Sequence, residues 1–198
     1  MSAKRARKTP IILTMGICLL LNLSAVSADD GFWQQLRDAP NRVVVMRNAE
    51  SRGNVDGTDM LAWDASGNCA GESTLTATGR EQARRIGAAF AKRGIEPLAI
   101  SSPMCRCSET AEIAFGHVVS DPALRQRHPE DSQGQEAFLA AASTLLTRYR
   151  GERPIVFVNH RPNIDALTME LLDIGELLVG EVTEDGEIEV IDRIRMAD

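Results

Sequence analysis

No two cysteines in this sequence are spaced C-x-x-C, so a zinc ribbon or a thioredoxin-like redox site lacks its ligand pair. Internal repeats, low-complexity blocks and internal linkers are also missing. A chain of 198 residues, 43% hydrophobic and 25% charged, therefore reads as one folded unit with a sizeable core. Positive charge is scarce. The formal net charge is −6, and removing residues 1–28, which hold four basic residues and no acidic ones, makes it −10. An acidic surface disfavours nucleic acid and anionic lipid as partners. Any phosphate recognition has to come from a local cluster of arginines.

A run long enough to span a bilayer is absent too. Ile11 to Leu23 is short and apolar, Lys4, Arg5, Arg7 and Lys8 precede it, and Val26-Ser27-Ala28 follows. That order predicts a secretory signal peptide over residues 1–28, cleaved after Ala28, with an uncleaved anchor as the alternative. The expected mature chain, 29–198, is exported to the periplasm or medium and is not held by a membrane. Cys18 lacks the small residues that precede a lipidated cysteine. Cys69, Cys105 and Cys107 remain. In an oxidising compartment two of them can pair and leave one thiol free, or all three stay reduced and buried.

Val43-Val44-Val45-Met46 is a continuous apolar run rich in β-branched residues, the pattern of a strand covered on both faces. Polarity arrives at its end with Arg47 and Asn48. Before it, Phe32, Trp33 and Leu36 mark a short helix over 31–39. Residues 51–74 form a long loop. A helix then begins near Leu75, with Thr76 or Thr78 as N-cap, and Ala83, Ile86, Gly87 and Phe90 give it an apolar face. Leu98 to Ser101 is a strand, and Ser102-Pro103 predicts a sharp helix start with serine as the cap. A short strand at 117–119, a loop over 121–133 and a helix over 135–150 follow. Pro154 to Asn159 is a second doubly buried strand, leading to a helix from Ile164 towards Leu172. Two strands, 177–183 and 188–194, close the chain as a hairpin with a turn at Glu184-Asp185-Gly186. Strands alternating with helices predict a three-layer α/β/α sandwich with a mainly parallel sheet and a terminal β-hairpin.

Three polar clusters sit just past strand ends: Arg47-Asn48, Ser101-Ser102 leading to Arg106, and Asn159-His160. Right-handed crossovers place such ends on one edge of the sheet. Arg106 falls in the first turn of a helix, where a cation opposes the dipole, and a bound anion would relieve the conflict. Singly, each arginine suits a surface or an ion pair; together they suit a phosphate pocket.

Four motifs carry a resemblance: Val-Val-Val-Met-Arg-Asn-Ala-Glu, Leu-Thr-Ala-Thr-Gly-Arg-Glu-Gln-Ala, Ser-Ser-Pro-Met-Cys-Arg-Cys-Ser-Glu-Thr-Ala and Val-Asn-His-Arg-Pro-Asn-Ile. Over roughly residues 42–172 the chain resembles the histidine phosphatase superfamily, of the exported bacterial type. The resemblance implies that Arg47, Arg106 and His160 hold phosphate and that Asn48 stands where the nucleophilic histidine of Arg-His-Ala belongs. It also implies a Cys69–Cys105 disulfide, with Cys107 as the other partner for Cys69. A carboxamide nitrogen is delocalised and does not attack phosphorus, although it can still donate a hydrogen bond. Such members carry Gln-Arg-Asn where this chain has Glu72-Ser73-Thr74, and a glycine where it has Asn159, a side chain expected to crowd the pocket. Glu50, Glu130 and Asp131 are candidate general acids; His117 and His128 read as structural or surface residues. The implied function is binding of phosphate or a phosphorylated small molecule with phosphomonoesterase activity lost or strongly reduced. The alternatives are a working phosphatase using His160 or water, and a protein–protein scaffold. No metal or cofactor is expected.

Overall fold

The computed structural model describes residues 28–196. The predicted signal peptide lies outside them except for Ala28. Helix α1 (Ala28–Asp38) begins there and buries Phe32, Trp33 and Leu36. Strand β1 (Arg42–Arg47) follows, with its four central apolar residues buried. A four-residue helix α2 (Arg52–Val55) sits at the start of the expected loop, so 51–74 is not wholly irregular. Then come α3 (Ala77–Ala91), β2 (Leu98–Ser101), α4 (Cys105–Phe115), β3 (Val118–Ser120), a 3-10 turn at Pro122–Leu124 and α5 (Ser132–Tyr149). Strand β4 (Ile155–Asn159), α6 (Arg161–Thr168), β5 (Glu176–Val182) and β6 (Ile188–Arg195) complete the chain.

The sheet order is β3-β2-β4-β1-β5-β6. The first four are parallel and the last two antiparallel, so the sheet is mixed, parallel on the side that carries the three polar clusters. Alternation along each strand separates two cores. Val44, Met46, Val156 and Val158 face α1, α3 and α4, packing with Trp33, Phe90 and Ala111. Val43, Val45, Ile155 and Phe157 face α5 and α6, packing with Phe138, Leu146 and Ile164. The three expected layers follow from that division.

Several boundaries differ from the expectations for local reasons. Thr76, not Thr78, caps α3, its hydroxyl accepting from the Gly79 N–H at 3.0 Å. Helix α4 starts two residues later than Ser102-Pro103 predicts, with Met104 at the cap position; the Ser102 hydroxyl accepts from the Met104 N–H at 3.3 Å and also meets His160. Helix α6 starts earlier, at Arg161, with Pro162 in its first turn where a missing N–H costs nothing. It ends at Thr168, and Met169 takes the left-handed conformation at φ 57°. The hairpin turn falls at Glu184-Asp185-Gly186 as expected, with the Thr183 N–H donating to the Glu187 carbonyl at 3.0 Å across it. At Gly79, an added Cβ would run into the Glu50 carbonyl, so glycine lets α3 lie directly against the segment leaving β1.

Candidate functional site

The ends of β1, β2 and β4 are stitched together by the backbone. The Asn48 N–H donates to the Asn159 carbonyl and the Ser102 N–H to the Val158 carbonyl, both at 3.1 Å. The Ala49 N–H donates to the Thr110 hydroxyl at 3.0 Å, which itself donates to the Arg106 carbonyl at 2.6 Å. The first turns of α4 are thereby fixed against the end of β1.

These ties bring Asn48, Ser102, Cys107 and His160 into one buried cluster. His160 Nε2 lies 2.7 Å from the Ser102 hydroxyl, and Nδ1 lies 3.5 Å from Cys107 Sγ. Cys107 Sγ is 3.9 Å from Asn48 Oδ1, while Asn48 Nδ2 donates to the Ala49 carbonyl at 2.9 Å. Burial, reinforced by Arg106 and then Arg47, holds His160 well below its ordinary 6.5, so the ring is neutral. Burial also pushes the Cys107 thiol up to about 12, against the pull of Arg106.

Arg106 is fully buried. Its Nη2 donates to the Met60 carbonyl at 3.0 Å and to Gln126 Oε1 at 2.9 Å. Among the described residues, its Nε and Nη1 have no hydrogen-bond partner. Burial lowers its pKa, while Cys107, Glu72 and Asp59 oppose the shift. Arg47 is half-buried and donates to the Leu172 carbonyl at 3.4 Å. Its pKa is lowered by burial and then by Arg161.

The dipole conflict foreseen at Arg106 has an internal solution. Glu72 is 3% exposed, and its carboxylate accepts from the Cys105 N–H at 2.9 Å and the Asp64 N–H at 2.9 Å. The start of α4 is thus capped by a carboxylate, not left open to an external anion. Cys69 and Cys105 form a disulfide with Cα atoms 5.8 Å apart, and Cys107 is the free thiol. Segment 58–72 is therefore pinned over the cluster, with the Trp63 ring 4.7 Å from the Arg125 guanidinium. Asn48, Ser102, Arg106, Cys107 and His160 are each at most 2% exposed. A cavity of about 330 Å³ lined by Arg127, His128, Phe138 and Pro162 lies beyond the cluster and includes none of its residues.

The other sequence candidates lie apart. Glu50 accepts from the Thr76 hydroxyl at 2.6 Å. Asp131 caps α5 and lies 3.6 Å from Arg127; Glu130 is exposed beside His128. None of these carboxylates hydrogen-bonds to the cluster. His117 and His128 are both exposed. Asn159 does not crowd the cluster as expected: its Oδ1 accepts from the His160 N–H at 2.8 Å and from Asn163 Nδ2 at 2.9 Å, bracing the start of α6. Ser102 joins the cluster as its place at a strand end implied, although its hydroxyl read as a helix cap. Cys107 and Glu72 are the members sequence reasoning did not place: Cys107 read as a spare thiol or the other partner for Cys69, and Glu72 as a departure within the long loop.

The sequence matches the histidine phosphatase superfamily (branch 1) over residues 43–143, half of the chain. This chain belongs to that family. Solved structures agree on the fold. The protein histidine phosphatase SixA, complexed with tungstate, is 14% identical with a TM-score of 0.53, covering 78% of this chain and 96% of SixA. Rv3214 from Mycobacterium tuberculosis is 18% identical with a TM-score of 0.56, covering 77% of this chain and 96% of its own. TTHB049 from Thermus thermophilus is 20% identical with a TM-score of 0.55, covering 79% of this chain and 99% of its own. Among curated proteins none matches significantly.

Proposed function

We propose that this protein is an exported histidine-phosphatase-family member that binds phosphate or a phosphorylated small molecule and has lost most or all phosphomonoesterase activity. The observation that carries the reading is Asn48 at the end of β1, beside His160 and Cys107. An imidazole there could take a phosphoryl group; an amide cannot. What supports retained binding is Arg106, a fully buried cation with two donors that no described residue satisfies. SixA, a structural neighbour, is described with tungstate, itself a tetrahedral oxyanion.

Catalysis through His160 instead is disfavoured by its contacts, because Nε2 meets Ser102 and Nδ1 meets Cys107. The scaffold reading draws on a specific observation: the cluster is closed over by segment 58–72. Binding then requires that segment to yield the Met60 carbonyl to solvent, an exchange of one hydrogen bond for another. Thermal unfolding with vanadate or phosphate, paired with an aryl phosphate hydrolysis assay, tests the proposal. Oxyanion at a hundred times its dissociation constant stabilises the fold by about 2.7 kcal/mol, with no turnover. A melting temperature indifferent to every oxyanion supports the scaffold. Export is tested by N-terminal sequencing, with Asp29 as the expected first residue.

A further inference from the structure

Glu72 is the one buried carboxylate beside the arginine cluster among the described residues, and it is held there covalently at one remove. Its Oε2 accepts from the N–H of Cys105, and Cys105 is disulfide-bonded to Cys69, three residues before Glu72. The Glu72 N–H donates back to the Cys69 carbonyl at 3.1 Å. Opening the tip of segment 58–72 can release the Met60 carbonyl from Arg106. The same motion frees Glu72 Oε1 from the Asp64 N–H, but Oε2 stays on the Cys105 N–H, because both ends of that contact are tied by the disulfide.

The charged groups that act on Arg106 and Arg47 can then be counted. Arg106 is buried and Arg47 half-buried; both are cations. Glu72 contributes one buried negative charge, and neutral His160 contributes none. Asp59, Arg161 and Asp173 are exposed and strongly screened. One unit of positive charge remains.

We infer that Glu72 limits the ligand to a singly charged tetrahedral oxyanion ester, a phosphodiester or a sulfate ester, and discriminates against doubly charged phosphate monoesters. The inference rests on the reading of the Arg106 cluster as an oxyanion site. A monoester carries nearly two negative charges at neutral pH. Its second charge finds no unbalanced cation and meets the fixed carboxylate. The arginines attract both charges, but the carboxylate and the greater cost of stripping water from a dianion in a buried site oppose the second, and a net preference of about tenfold is expected.

The test is calorimetric titration of the full disulfide-bonded protein at pH 7.5 with phenyl phosphate, methyl phenyl phosphate and phenyl sulfate. Either singly charged ester should bind about tenfold more tightly than phenyl phosphate, and the better of the two identifies the source chemistry. Glu72→Gln should shrink or reverse that gap, since the carboxamide oxygen still accepts from Cys105. Should that variant not fold, the comparison in the parent decides alone. Phenyl phosphate binding as tightly as both others overturns the inference while leaving the oxyanion site intact. If none of the three esters nor vanadate binds, the oxyanion site itself is wrong, and the inference falls with it.

Discussion

His160 and Ser102 are joined by a 2.7 Å contact between Nε2 and the hydroxyl, and both side chains are shut away from water. A neutral imidazole has one donor and one acceptor, which the hydroxyl and the neighbouring thiol can match. A protonated ring would add a third buried positive charge beside Arg106 and Arg47.

Stability should therefore fall in mild acid. The folded pKa of His160 lies well below its ordinary 6.5, so below that value the unfolded chain binds the proton and the folded one does not. The contribution is intact above about pH 6.5 and is lost as pH falls towards the folded value, at up to about 1.4 kcal/mol per pH unit. Urea unfolding at pH 7 and 5.5 measures the slope. His160→Gln should flatten it; an equal slope in both proteins contradicts the assignment.

The Cys69–Cys105 bond closes a span with a sequence separation of 36. Chain-entropy reasoning gives on the order of 3–4 kcal/mol for such a loop. Cys69→Ser should lose about that much in equilibrium unfolding. A variant as stable as the parent would show that segment 58–72 is held by its polar contacts alone.

Arg106→Ala should leave the protein blind to oxyanions. The guanidinium is the only fully buried cation in the cluster, and Glu72 already occupies the start of α4. The thermal shift produced by vanadate in the parent should shrink to near zero. A retained shift would place the binding site elsewhere, for example in the cavity beside Arg127.

Much of this arrangement was legible in the sequence where one stretch carries its own signal. The apolar runs at 43–46 and 155–158 declare buried strands, and the polar residues that follow mark the sheet edge where the buried polar cluster forms. The Cys69–Cys105 pairing came from resemblance and is present in the fold. What stayed hidden depends on contacts between distant segments. Ser102 followed by Pro103 is the local pattern of a helix cap, yet its hydroxyl meets a histidine 58 residues away, and α4 starts later. Glu72 caps a helix that begins 33 residues downstream, a relationship no spacing rule encodes. Asn159 looked obstructive by size alone; its direction, towards Asn163 and the His160 N–H, comes from the backbone at the start of α6.

The central claim is that one side chain, Asn48, separates this site from hydrolysis. Asn48→His places an imidazole in the cluster of Arg106, Arg47 and His160, the groups that the proposed reading assigns to orient and stabilise a transferring phosphoryl group. The direct measurement is phosphate release from an aryl phosphate at about pH 5.5, where much of the ester is singly charged and Glu72 opposes it least. Mass spectrometry of an acid-quenched reaction locates any phosphoryl adduct. The account predicts turnover and an acid-labile adduct on the new histidine, at a rate below that of an efficient family member because Glu72 remains, and neither signal from the parent. A parent that turns over at an enzyme-like rate, roughly 1–1000 per second, would contradict it, because the phosphoryl acceptor would then be something other than residue 48.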